Sequence, residues 1–282
     1  MQSLHTSDHL PLHLRQWQLA DGARGTVLIV HGLGEHIGRY PHVAAHLNRC
    51  GWHVAGYDQR GHGASGGPRG AIATDDSLLA DLALVIDATR QRHGGPLVLL
   101  GHSMGGLVVG RFVAEGLSAK PSSWWRPVDA LVMSSPALDP GMNLFQKMLL
   151  GVLGPLAPNL AVGNGLNPGW VSRDPAVVAA YKKDPLVHDR VSPRLVRFIL
   201  DGGASVIAQA PRWRVPTQLL YAGADRCVAP RGSAAFAAAA PNAVLQHQRY
   251  EGLSHEIFNE PEQGRVLADL AAWLAPHGAA SA

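Results

Sequence analysis

Three residues of this chain, far apart in sequence, have the types and settings needed to break an acyl bond. Gly101-His102-Ser103-Met104-Gly105 places a serine between two glycines, directly after the apolar run 97–100 and ahead of a stretch with helical patterning. A serine on a tight strand-to-helix turn projects its hydroxyl clear of the sheet, and flanking glycines avoid the clashes that such a turn creates. That hydroxyl is a weak nucleophile at neutral pH and needs a neighbouring base. The chain has 15 histidines, so position must choose among them. His255, in Tyr250-Glu251-Gly252-Leu253-Ser254-His255-Glu256, lies on a loop between the run 244–250 and the last helical pattern. His247 falls inside that run and reads as a sheet-face residue, and His277 lies in the tail. The base in turn needs a carboxylate to fix its tautomer and stabilise the imidazolium. Asp225 follows the apolar run 218–221 and is the favoured candidate. Asp139, after the run 130–133, is its rival and reads equally well as polar punctuation before Pro140. The chemistry expected is attack of Ser103 on an acyl carbonyl, with His255 as base and Asp225 as orienting acid.

These residues need a scaffold that brings loops together at one end. Short aliphatic runs at 26–30, 53–57, 97–100, 130–133, 218–221 and 244–250 read as strands. Helical patterns at 40–50, 75–92, 104–115, 230–240 and 261–274 lie between or after them. Within the second, Leu78, Leu79, Leu82, Val85 and Ile86 form a core-facing stripe, which His93-Gly94-Gly95-Pro96 then stops. This alternation predicts an α/β protein with a mostly parallel central sheet flanked by helices. In such a serine hydrolase the chain order is Ser, Asp, His, as here, and two backbone amides bind the developing oxyanion. The second loop required is His31-Gly32-Leu33-Gly34, directly after the first strong strand, so the amides of Leu33 and Met104 are assigned to the oxyanion hole.

The pattern breaks between Asp139 and Arg214, where Pro and Gly recur and no convincing strand is seen. An insertion of this length inside a compact α/β domain is usually functional, often a lid. The predicted organisation is a core of 1–138 and 215–282 with a cap of 139–214. Leu144, Phe145, Met148, Leu149, Leu150, Val152, Leu153 and Leu156 make the first part of the cap apolar, fit either for core or for an acyl-binding face that touches lipid.

Composition narrows the partners. With 24 Lys and Arg against 21 Asp and Glu, scattered among one another, the chain lacks the clustered basic face of a nucleic-acid binder. Cys50 and Cys227 are far apart and outside any CxxC pattern, which excludes a disulfide framework or zinc knuckle. The expected partner is a small-molecule acyl ester or lipid. No secretory signal is visible and no stretch is long and apolar enough to span a bilayer, so the expectation is a cytoplasmic protein, at most peripheral to a membrane through its cap.

With these residues placed, the chain resembles the monoacylglycerol lipase and lysophospholipase-like family of the α/β-hydrolase superfamily. The resemblance runs from about Gly25 to Trp273. It rests on His31-Gly32-Leu33-Gly34-Glu35-His36 with Arg39-Tyr40, on Asp58-Gln59-Arg60-Gly61-His62-Gly63 with Ser65-Gly66, and on residues 101–106. Ser134-Ser135-Pro136-Ala137, Asp184-Pro185-Leu186 and the Asp225 and His255 loops continue it. It implies the α/β-hydrolase fold with a helical cap inserted after the sixth strand, and cleavage of a single acyl ester through an acyl-serine, with no metal or cofactor. It also implies that Glu35, Arg39 and Tyr181 meet the alcohol part of the substrate. One position departs: where mammalian members carry a second histidine, three residues after the base, this chain has Phe258, which puts glycerol as the alcohol in doubt. A carboxylate-nucleophile hydrolase is excluded by Ser103, whereas a proline iminopeptidase-like aminopeptidase and an acyltransferase share the triad and stand as alternatives.

Overall fold

Period-two burial along the strands sets the architecture. In β3 (Thr26–Val30), Leu28 and Val30 face one core while Val27 and Ile29 face the other, and β5 (Leu97–His102) divides Leu97 and Leu99 from Val98 and Leu100 in the same way. Strands apolar on both faces must be covered on both. In this computed structural model, which describes residues 3–20, 22–142, 150–151 and 154–279, helices do so. Helices α2 (Ser77–Arg92), α3 (Met104–Glu115), α5 (Pro193–Gln209) and α6 (Pro230–Ala239) pack on one face, and α1 (Pro41–Arg49) and α7 (Gln263–Leu274) on the other.

Among the described residues the central sheet has eight strands, in the order β1-β2-β4-β3-β5-β6-β9-β10. β4 (His53–Tyr57), β3, β5, β6 (Ala130–Ser134), β9 (Thr217–Ala222) and β10 (Leu245–Tyr250) run parallel. β1 (Ser3–His5) and β2 (Pro11–Trp17) add an antiparallel edge that the sequence patterning did not disclose. In β2 only Leu12 is buried, so it lacks the apolar run that marks the others. The parallel register brings the loops after β3, β5, β9 and β10 to one end of the sheet, where ligands bind in open α/β folds.

The segment between β6 and β9 divides in two. Helix α5 buries Leu195, Phe198, Ile199, Gly202, Gly203 and Val206 and belongs to the core. A Cβ at Gly203 would meet the Leu138 carbonyl oxygen at 2.2 Å, which shows how closely the helix is seated. The part that stands over the sheet end ends before α5. It holds a two-stranded ribbon of β7 (Val162–Gly163) and β8 (Arg190–Val191) and helix α4 (Pro175–Lys183). Leu144, Phe145, Met148, Leu149, Val152 and Leu153, six members of the apolar run expected to wall an acyl pocket, lie outside the described residues.

Candidate active site

Ser103 stands between β5 and α3 with φ 55° and ψ −120°, a left-handed conformation that a non-glycine residue adopts only when its surroundings over-determine it. Two backbone bonds do so: its N–H donates to the Ser134 carbonyl at 2.9 Å, and its carbonyl accepts from the Ala137 N–H at 2.9 Å. The flanking glycines are needed for space, since a Cβ at Gly105 would lie 2.0 Å from the Val30 carbonyl oxygen and one at Gly101 would lie 2.4 Å from that of Gly105.

The three residues read from the sequence converge. The Ser103 hydroxyl donates to His255 Nε2 at 2.8 Å, and His255 Nδ1–H donates to Asp225 Oδ2 at 2.7 Å. Asp225 Oδ1 accepts the N–H groups of Cys227 at 2.8 Å and Val228 at 3.1 Å, which locks the carboxylate plane. Asp139 is elsewhere, paired with Arg231 at 2.6 Å. Burial works against the ionised form of Asp225, but His255 and these donors hold its carboxyl below the usual range. For His255, burial pushes the imidazole down; Asp225, Glu256 and Glu35 outweigh it and leave His255 raised. His102 lies with its ring centroid 4.8 Å from that of His255 and is lowered to about 4, by burial and then by His255. It stays neutral through the range in which His255 titrates.

The loop after β3 lies against the nucleophile: a Cβ at Gly32 would meet that of Ser103 at 3.0 Å. His31 fixes this loop from below, accepting at Nε2 from the Gln59 N–H at 2.9 Å while the Gln59 amide donates to its carbonyl at 2.7 Å. Leu33 therefore sits beside Ser103, and Met104 opens α3, where the first N–H groups of a helix lack intrahelical acceptors. The arrangement can hold an acyl carbonyl between the hydroxyl and two amides, with the helix N-terminus favouring negative charge there.

A cavity of about 350 Å³ opens over Ser103. Leu33, Glu35, His102, Tyr181, Lys182, Asp184, His188, Asp189 and Glu256 are among its lining residues, with Leu166, Val171 and Val187 as apolar patches. Of the residues that the resemblance assigns to the alcohol, Glu35 and Tyr181 line this cavity; Arg39 is not among the described lining residues. Phe258 is 3% exposed and packs in the core beside α1 and α7 rather than toward the cavity. Asp225, Cys227 and His255 bring ligand-type atoms within 4.8 Å of one another. Asp225 and His255 already spend theirs on each other and on Ser103, and burial followed by the Asp225 charge raises the Cys227 thiol and keeps it protonated.

Several supporting residues carried no readable signal. Glu260, fully buried, accepts from Ser254 N–H at 2.9 Å, Ser172 Oγ at 2.7 Å and Arg173 N–H at 2.6 Å, so it ties the histidine loop to the cap. His188 donates its N–H to the Gly34 carbonyl at 2.9 Å and its ring Nε2–H to that of Gly61 at 3.0 Å. Among 15 histidines it had no distinguishing neighbour. The paired motifs of the resemblance now have a contact: His36 Nε2 meets Asp184 Oδ2 at 2.8 Å.

Comparison with known proteins agrees with this geometry. Residues 21–262 match the family described as serine aminopeptidase, S33. A monoacylglycerol lipase of Mycolicibacterium smegmatis is 36% identical over 265 residues, covering 93% of this chain and 91% of that protein. Phospholipase YtpA of Bacillus subtilis is 30% identical, over 88% of this chain and 94% of its own length. The crystal structure of Paleococcus ferrophilus monoacylglycerol lipase superposes with a TM-score of 0.81 at 35% identity, covering 95% of this chain and 99% of that one. The family description names a peptidase, but these relatives are lipases, which favours ester hydrolysis over the aminopeptidase alternative. The chain belongs to the monoacylglycerol lipase family of the α/β-hydrolase superfamily and is a carboxylic ester hydrolase.

Proposed function

We propose that the chain hydrolyses monoacylglycerols, with Ser103 as nucleophile, His255 as general base and then acid, and Asp225 as the orienting acid. His255 takes the Ser103 proton as Oγ attacks the ester carbonyl, and the amides of Leu33 and Met104 receive the oxyanion. The imidazolium returns the proton to the leaving glycerol oxygen, and water repeats the sequence on the acyl-serine. Glu35 and Tyr181 are proposed contacts for the alcohol. The likeness to lipases of known name supports the acyl-ester substrate.

The charge of the cavity wall carries the choice of alcohol. Glu35, Asp184, Asp189 and Glu256 supply four carboxylates, of which Glu35 and Glu256 pair with Arg39 and Asp189 with Arg190, and Lys182 is the one lysine or arginine among the described lining residues. A phosphate-bearing alcohol would find Lys182 as the one lysine or arginine to meet its charge among the described lining residues. A neutral polyol meets hydroxyl and carboxylate acceptors instead. Phe258 does not bear on this choice, because its ring lies in the core. Leu156, Leu160 and Val162, 78%, 63% and 50% exposed, give the cap an apolar outer face that supports transient contact with a lipid surface.

The test is a rate profile at fixed acyl length over a monoacylglycerol, a lysophospholipid, a p-nitrophenyl ester and an aminoacyl arylamide. The expected kcat/KM for the monoacylglycerol exceeds that for the lysophospholipid by at least about tenfold, equal to about 1.4 kcal/mol, with the arylamide uncleaved. A lysophospholipid preference would overturn the assignment of the alcohol, and arylamide cleavage would return the chain to the peptidases.

A further inference from the structure

The resemblance places Arg39 against the alcohol, yet its guanidinium is held by two carboxylates and Arg39 is not among the described lining residues of the cavity. Nη1 donates to Glu35 Oε2 at 2.8 Å and to Glu256 Oε1 at 2.6 Å, and Nη2 donates to Glu256 Oε2 at 2.7 Å. The Tyr181 ring covers the guanidinium at 4.8 Å. Side-chain exposure is 11% for Arg39, 4% for Glu35 and 6% for Glu256.

Each partner belongs to a different part of the site. Glu35 sits on the loop after β3, where its Oε1 accepts the Gly32 N–H at 2.6 Å and the Tyr40 hydroxyl at 2.7 Å. Gly32 directly precedes Leu33, whose amide is assigned to the oxyanion. Glu256 directly follows His255, and its own N–H donates to the Val171 carbonyl of the cap at 2.8 Å. Tyr181 stands on α4 of the cap. A planar fork bound bidentately to one carboxylate and singly to a second fixes orientation as well as distance, which an ammonium cannot do.

We propose that Arg39 and Glu256 are positioning residues for ester hydrolysis rather than contacts for the alcohol. Together they clamp the oxyanion loop to the histidine loop and set the separation between the Leu33 amide and the His255 imidazole. The inference rests on the ester-hydrolase reading. It goes beyond that reading by removing Arg39 from the alcohol site and giving Glu256 a part that the triad does not require. The clamp acts on every acyl ester alike, because both loops serve the carbonyl and both carboxylate oxygens of Glu256 are engaged by Arg39.

The experiment compares Arg39→Lys, Glu256→Gln and the double variant on a monoacylglycerol and a p-nitrophenyl ester of the same acyl length. Wild-type hydrolysis of both esters, established first, separates failure of the clamp from failure of the function. Titration of active sites with a phosphonate corrects for misfolded protein. Each single variant is expected to lower kcat by about ten- to a hundredfold, the scale of a small misplacement of catalytic groups. The loss should be the same on both esters, with KM changed by less than about twofold, and the double variant should be no worse than the weaker single one, since both break one clamp. A KM increase confined to the monoacylglycerol would overturn the proposal and restore Arg39 to the alcohol site. Multiplying losses in the double variant would overturn it too, as would a lower melting temperature with unchanged kcat per titrated site.

Discussion

The end of the sheet and the cap above it are built by different means. At the sheet end, Ser103, Asp225 and His255 hang from β5, β9 and β10, whose register is fixed by main-chain ladders and by buried side chains on both faces. The cap, by contrast, has a two-stranded ribbon of two residues each, and none of the nine residues of α4 is buried. Its order comes from where it touches the loops beneath. The proposed chemistry therefore sits at the sheet end and the proposed selection among substrates in the region that packing constrains least. Changes at the sheet end should lower turnover on every ester, and changes in the cap should re-rank esters.

The strongest way to break this division is Ser103→Ala. Loss of kcat by about a million-fold on all esters is expected, with the melting temperature little changed. Near wild-type turnover would mean that another nucleophile acts. Next comes Asp225→Asn, expected to lower kcat about ten-thousand-fold by presenting the wrong partner to His255, while Asp139→Asn leaves turnover intact. A reversal of these two results would move the acid to the other strand.

The cap side is sharpened by the double substitution Leu156→Ser and Leu160→Ser. Apparent KM for monoacylglycerol in vesicles should rise about tenfold, a loss consistent with part of two leucines' burial. Turnover of a short soluble ester should stay unchanged. An equal effect on both substrates would place these leucines in the machinery rather than at a lipid surface.

The smallest effect leaves the plateau rate alone and moves only its onset. His255 must be neutral to accept the Ser103 proton, and its pKa is raised, so kcat/KM should fall as pH drops through a value above the ordinary histidine range near about 6.5. His102 and His188, each held down to about 4 by burial first, do not contribute to that limb. The limb should be the same for every ester, and one at or below the ordinary value would sink the electrostatic account.

Legibility followed the same division. The meeting of Ser103, Asp225 and His255 could be read because a turn between a strand and a helix demands glycine and a short polar side chain, and because chain order reflects strand order. Helix bounds came within a residue or two where an apolar stripe met a Gly-Pro stop, as at the end of α2. The reading faltered where burial comes from distant contact. Helix α5 was assigned to the cap because its neighbours are rich in Pro and Gly, although Phe198 and Val206 sit in the main core. Glu256 and Glu260 were missed because a carboxylate's partner 217 or 87 residues away leaves no local pattern. Arg39 was visible only through resemblance, which gave its presence and not its engagement with Glu256.

Much of the cap's attachment runs through main-chain groups. His188 N–H meets the Gly34 carbonyl, Ser192 N–H meets that of Gly70, and the Val171 carbonyl receives the Glu256 N–H. Gly34 has φ +77°, and any Cβ there would strike the His188 carbonyl oxygen at 2.3 Å, so this contact demands glycine below but tolerates varied side chains above. Main-chain bonds survive amino-acid replacement. Apart from anchors such as Ser172, Arg173, Tyr181 and Asp184, the cap between Val171 and His188 is free to exchange side chains over generations. With selection in the cap, as proposed, a lineage carrying this frame can change its diet of esters by point mutation while inheriting the same main-chain seat.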